Sequence, residues 1–220
     1  MFCIVRFRNK KGIRYFQKGV NPRLLILSGT HGNEFHILPK VTKVVQELML
    51  TLPDFVFIPE VSPSAVTLQS RKNAYGNDIN RGFGQLSDPE VDVLKEIMST
   101  LSHVVAISFH EDLEFPESFY FYDTHTLDQQ RLERFRAQVK ELGVPLFSGI
   151  DSPEDSALSY PIKEGYVDFV GAASENGQFI EDWALNQGYF SRFFTFEIPH
   201  KYSRIPELLR LCIQFSLSLL

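Results

Sequence analysis

Cysteine is scarce in this 220-residue chain: Cys3 and Cys212 stand near opposite ends and form no CxxC pair. Neither a disulfide scaffold nor a thiolate metal site is therefore indicated, and a reducing, cytoplasmic setting is the expectation. Basic runs are also missing. With 22 Lys and Arg against 27 Asp and Glu, the net charge is −5, which argues against nucleic acid or an anionic membrane surface as partner. No apolar run is long enough to span a bilayer. The most apolar tail, Leu208 to Leu220, is interrupted by Arg210, Gln214, Ser216 and Ser218 and reads as a helix packed on a sheet. The opening residues alternate Phe2, Ile4 and Phe7 with Arg6, Arg8 and Lys10, the pattern of a strand rather than a secretory leader. Internal repeats and low-complexity tracts are lacking, and the chain carries no signature of a particular oligomeric state.

What is present is the material for one sizeable core. A hydrophobic fraction of 44% with 20 Phe indicates a globular chain with an aromatic-heavy core or cleft, and the length suits a single domain over residues 1–220. Phe2–Arg8 and Ile13–Gln17 read as a hairpin around Asn9 to Gly12. Leu24–Ser28 is a buried strand. A helix from about Pro39 to Leu50 follows, with Val41, Val44, Val45 and Leu48 at helical spacing, and then a strand over Phe55–Pro59. Glu60 to Asn80 shows no period and reads as a long functional loop. Ser87 to Glu90 has the spacing of a capping box before a helix with Val91, Leu94, Ile97, Met98 and Leu101 on one face. Val104–Phe109 is the next buried strand. Phe119–Tyr122 reads as a strand, Gln129 to Leu142 as a helix closed by Gly143, and Gly149 to Ser159 as a polar loop. Asn176–Gln187, Phe193–Ile198 and Pro206–Leu220 read as helix, strand and helix. Strands alternating with helices predict an α/β fold, a three-layer α/β/α arrangement around a central mixed, largely parallel sheet.

Two buried strands end on ionisable residues. Leu24–Ser28 runs into Gly29-Thr30-His31-Gly32-Asn33-Glu34, and Val104–Phe109 runs into His110. Imidazole nitrogen and carboxylate oxygen are zinc donors, and a catalytic zinc needs three protein ligands plus one open position. The ends of strands are also where open α/β sheets place their ligand sites. Glu197, carried by a third strand, completes a grouping of the kind a metal site on strand ends requires.

These segments resemble a known family. The turn from Gly29 to Glu34, Asp78-Ile79-Asn80-Arg81, Ser108-Phe109-His110, and Asp182-Trp183-Ala184-Leu185-Asn186-Gln187-Gly188 followed by Phe194-Thr195-Phe196-Glu197 are similar, in the same order, to motifs of the zinc carboxypeptidases of the A/B type. The succinylglutamate desuccinylase and aspartoacylase branch shares the first three. The resemblance implies that His31, Glu34 and His110 hold zinc and that Glu197 is the general base toward zinc-activated water. It implies that Asn80 and Arg81 receive a substrate carboxylate, the guanidinium forking onto it bidentately, and that Arg71 stabilises the oxyanion. Glu181 falls at the position lining the specificity pocket, where a carboxylate favours Lys or Arg. The chain departs from the pattern at Ser62 and Ala65, which replace an Asn and a Gly. It departs again where the family's mobile tyrosine meets Ser174, leaving Tyr160 or Tyr166 to reach in. His36 and His200, close in sequence to site residues, are expected at the cleft. Three readings stand: a carboxypeptidase-like hydrolase acting on a small peptide, an N-acyl-amino-acid deacylase, and a binding relative without turnover.

Overall fold

The strands at the centre of the molecule are those whose sequences are apolar at nearly every position. A computed structural model describes residues 5–151, 159–168 and 178–220. Strands β1 (Val5–Lys10), β2 (Ile13–Lys18), β3 (Leu24–Ser28), β4 (Phe55–Ile58), β5 (Val104–Glu111) and β6 (Tyr120–Asp123) belong to one sheet with β9 (Tyr166–Asp168) and β10 (Phe190–Ile198). The sheet order is β1-β2-β4-β3-β5-β10-β6-β9, and β7 (Gly149–Ile150) pairs separately with β8 (Pro161–Ile162). β4, β3, β5 and β10 run parallel, while β1, β2 and β6 join their neighbours antiparallel. The sheet is thus mixed with a parallel centre, as expected. Parallel strands need cover on both faces, which is why they read as continuous apolar runs.

Alternation along those strands builds two cores. Leu24, Ile26, Phe57, Ile107, Phe109, Phe194 and Phe196 pack against α1 (Leu38–Leu48), α4 (Gln129–Glu141) and α6 (Ile205–Leu217). Leu25, Leu27, Val56, Ile58, Ala106 and Phe193 pack against α3 (Pro89–Met98) and α5 (Ile180–Asn186). The abundant Phe collects on the first face, where Phe135 stacks on Phe215 at 4.1 Å and Phe121 meets Phe196 at 5.4 Å. Burying aromatic area of this kind is a leading source of core stability.

Several elements differ from the sequence reading. The stretch Glu60 to Asn80 contains a helix, α2 (Pro63–Leu68). Six residues are too few to display a period, and its signals are Pro63 at the first position and Gln69 in the left-handed conformation (φ 48°) that stops it. Asp88, not Ser87, caps α3, its carboxylate accepting from the backbone N–H groups of Glu90 and Val91. β5 continues through His110 and Glu111, so the histidine lies within the strand and in register with its neighbour. β7, β8 and β9 are not visible as patterns because they are two or three residues long. Phe2 to Ile4, Cys3 included, lie outside the described residues, as do most of the loop after Asp151, Ser174, and the start of the Asn176–Gln187 helix. No helix among the described residues is long and apolar enough to cross a membrane.

On β10 and β6 the alternation that buries Phe194, Phe196 and Phe121 turns Thr195, Glu197, Tyr120 and Tyr122 to the opposite face. There they line a cleft of about 320 Å³.

Candidate metal centre and cleft

The turn after β3 depends on its glycines. Gly29 has φ +67°, a region side chains rarely adopt, and a Cβ on Gly32 would lie 1.7 Å from the Ala65 carbonyl oxygen. α2 can therefore press against the turn, whose Gly32 N–H donates to Ser70 O at 2.8 Å. Ser28 and Gly29 carbonyls accept from Val61 and Ser62 N–H at 3.0 Å each. His31 and Glu34 leave this pinned turn toward His110 on the neighbouring strand.

His31 Nδ1 lies 2.5 Å from Glu34 Oε1, and His110 Nδ1 lies 3.0 Å from Glu34 Oε2. All three side chains are buried, and their donor atoms lie within 4.8 Å of one another. Among the described residues no other group of His, Cys, Asp or Glu meets that spacing. Burial lowers both histidine pKa values, but the Glu34 carboxylate between them, joined by Asp78 at His31 and Glu197 at His110, more than offsets it and raises each above the ordinary value. Burial also disfavours ionised Glu34, yet the two imidazoles hold its carboxyl well below the usual range. The donor set, two imidazole nitrogens and one carboxylate oxygen facing a cleft, fits zinc with a position left for solvent.

A second layer of contacts orients these groups. Asp78 Oδ1 lies 3.1 Å from His31 Nε2, which leaves Nδ1 to face Glu34. Asp78 Oδ2 accepts from Arg71 Nε at 2.8 Å, and its Oδ1 accepts from Asn80 N–H at 3.0 Å. Glu111 N–H donates to Glu34 Oε2 at 3.3 Å. The Glu111 side chain accepts from His36 N–H at 2.9 Å and meets His36 Nδ1 at 2.7 Å and His200 Nδ1 at 3.2 Å. The two imidazoles stack with rings 15° from parallel, both with Nδ1 toward Glu111 Oε1. This cluster ties the turn to the end of β5. Neither His36 nor His200 is among the residues lining the cleft, contrary to the sequence expectation.

Glu197 pairs in register with His110 on one side and Tyr120 on the other. Burial raises its pKa well above the ordinary value, and Glu34, Asp112 and Asp151 add to the rise against the opposing His110. Arg71, Asn80, Arg81 and Glu181 all line the same cleft as the metal-site residues and Glu197. The Arg81 guanidinium lies 5.0 Å over the Phe179 ring, and the Arg71 side chain is half-exposed at its pairing with Asp78. Glu181 sits in the first turn of α5, and burial pushes its pKa up to about 7.

Two features escaped the sequence reading. Tyr120 and Tyr122 form part of the cleft wall, and both phenols donate to Asp151, Tyr120 at 3.1 Å. Their signal was the alternation Tyr120-Phe121-Tyr122, which places both tyrosines on the face opposite a core Phe. Tyr166 instead packs on Phe121 at 5.1 Å within the first core, and Tyr160 packs on Tyr122 at 6.4 Å. Asp78, the partner of His31, was visible as part of a motif but without that role.

No family model matches the sequence, and no curated relative is found. Solved structures share the fold. A Shewanella denitrificans protein designated a metallopeptidase superposes with a TM-score of 0.72 at 18% identity, over 96% of this chain and 82% of that one. The murein-tripeptide amidase of Escherichia coli O157 gives 0.62 at 18% identity, over 92% and 86%. An aspartoacylase family protein from Mesorhizobium loti gives 0.57 at 16% identity, over 92% and 60%. The fold of this chain is therefore one that it shares with these proteins.

Proposed function

We propose that this chain, as one catalytic domain over residues 1–220, is a zinc-dependent hydrolase that cleaves a peptide or amide bond next to a free carboxylate. The observation that carries this reading is a single cleft holding the buried His31, Glu34 and His110, the in-register Glu197, and Asn80 with Arg81. Zinc bound by His31, Glu34 and His110 would supply Lewis acidity and a water of lowered pKa. Glu197 takes the proton of the attacking water, a task that its raised pKa favours, and returns it to the leaving nitrogen. Asn80 and Arg81 receive the substrate carboxylate and set the scissile bond in register. Arg71, steadied by Asp78, offers its guanidinium to the charge that develops on the carbonyl oxygen. Glu181 favours a Lys or Arg side chain at the residue released.

The substrate is a small peptide. An N-acyl amino acid is the second reading, favoured by the modest cleft of about 320 Å³. The acidic net charge supports neither a nucleic-acid nor a membrane partner, and the buried, unpaired Cys212 agrees with a cytoplasmic setting. The test is a panel of C-terminal dipeptides and N-acyl amino acids assayed with zinc, with chelator, and with Glu197→Gln. Zinc-dependent release of amino acid is expected, falling on the order of 10²–10⁴-fold in the variant while its zinc is retained. Near-parental turnover by Glu197→Gln would remove Glu197 from the base role. A zinc-loaded protein inert toward both classes would leave the binding relative as the reading.

A further inference from the structure

The loop that carries Arg71, Asp78, Asn80 and Arg81 is long and polar, yet it holds a defined shape, and the reason lies outside the cleft. Asp88 is 1% exposed and does two jobs with its two oxygens. Oδ1 caps α3, accepting from Glu90 N–H at 2.8 Å and Val91 N–H at 3.3 Å. Oδ2 accepts from Asn73 Nδ2 and from Asn77 Nδ2, each at 2.7 Å. Asn73 cannot turn its amide over, because its Oδ1 already accepts from Tyr75 N–H at 3.0 Å and Asn77 N–H at 3.1 Å. Glu90, in the first turn of the same helix, accepts from Ser62 Oγ at 2.5 Å and Ser64 N–H at 2.9 Å, at the start of α2. The N-terminus of α3 thus grips the loop at two points. Asn77 immediately precedes Asp78, which meets His31 Nε2 on one oxygen and Arg71 on the other.

We propose that Asp88, with Asn73, is a positioning pair that sets the substrate loop against the metal ligands. Asp88 touches neither substrate nor metal: it acts through Asn77 and Asp78 on His31, and through the loop on Arg71, Asn80 and Arg81. An exposed loop with only backbone turns would sample many arrangements, and each would misplace the guanidinium groups by distances that matter for carboxylate recognition. A buried carboxylate held by two amide donors and two backbone N–H groups has one low-energy arrangement, because each alternative strands a buried donor. The substrate half of this inference rests on the carboxylate role proposed for Arg81, whereas the His31 half does not.

The exchange of carboxylate and amide tests it. Asp88→Asn keeps the cap, since Asn caps a helix as well as Asp, but turns an Nδ2 group against the Asn73 amide. Asn73→Asp sets a carboxylate against Asp88 and Glu90. The double variant restores one donor facing one acceptor at position 73 but leaves Asn77 Nδ2, which shares Asp88 Oδ2 in the parent, facing an amide; Asn77→Ala removes that contact alone, in case either exchange prevents folding. Zinc affinity is measured by competition with a chromogenic chelator. KM and kcat are measured on the best free-acid substrate of the panel and on its amide. Each single exchange is expected to weaken zinc binding about tenfold, to raise the free-acid KM about tenfold through Asn80 and Arg81, and to lower kcat through Arg71, as removal of outer-sphere support does. The double variant recovers part of each loss, to within about threefold of Asn77→Ala, a coupling that a merely destabilised helix would not show. Parental zinc affinity and KM in folded single variants, or losses that add in the double, would overturn the proposal. A parent enzyme indifferent to acid versus amide refutes the carboxylate role alone, and the zinc measurement then decides the positioning role by itself.

Discussion

Glu181 is a carboxyl group in an environment that disfavours its charge. Burial pushes its pKa up to about 7, and Asp182 adds to the rise against His110 and Arg81. Below the ordinary carboxylate range it is protonated whether the chain is folded or not, so it costs nothing. As pH rises toward 7 the unfolded chain ionises first, and the folded state loses stability until Glu181 also ionises. Glu181→Gln is therefore predicted to raise the melting temperature at pH 8 and leave it unchanged at pH 4. Thermal melts at the two values check this. In the parent, the preference for Lys over Phe at the released residue should grow as pH passes through about 7 and vanish in the variant. Arg81 makes a separate prediction: amidated substrates should be poorer than free acids by about 10-fold or more, the worth of a charge-assisted fork. Equal rates would assign the loop some other ligand. His31, Glu34, His110 and Glu197 were legible in the sequence because each sits at or near the end of an apolar strand, where a polar residue stands out. Tyr120, Tyr122 and Asp151 were not, because what joins them is a meeting of side chains from segments 29 or more residues apart.

At the scale of elements, the β3 turn is the sharpest dependence of site on fold. Gly32→Ala places a methyl 1.7 Å from the Ala65 carbonyl oxygen, a backbone atom, so α2 must shift as a unit. The expected cost is about 1–3 kcal/mol or more in urea unfolding, as in overpacked interiors, with weakened zinc binding because His31 lies one residue away. A variant as stable as the parent, with unchanged zinc affinity, would show the contact to be slack. The buried strands and the amphipathic helices α1, α3, α4 and α6 could be read from period and apolar runs. The short α2 and the two-residue strands could not, since fewer than two turns or two pleats carry no period. At α3 the box spacing pointed to Ser87, but the oxygen that reaches the free N–H groups belongs to Asp88. Its neighbour Glu90 is drawn instead to Ser62 and Ser64, partners far off in sequence.

For the molecule as a whole, alternating strands and helices were enough to anticipate three layers and a mixed sheet, whereas strand order was not. That order places β10 between β5 and β6, and so sets Glu197 beside His110. The same assembly brings together His31, Glu34 and His110, the donors of the candidate metal centre. Without metal, His31 and His110 have raised pKa values, so the protonated pair adds stability at low pH that is lost as pH rises through those values. Zinc must displace these protons, so the gain in melting temperature on adding zinc should increase from pH 6 to pH 8. The most direct test is a calorimetric zinc titration, with elemental analysis, of the parent, Glu197→Gln and His110→Ala. One zinc per chain is predicted for the parent and for Glu197→Gln, with tight binding abolished in His110→Ala. A parent that takes up no zinc, or a His110→Ala protein that binds it as tightly as the parent, would contradict the account.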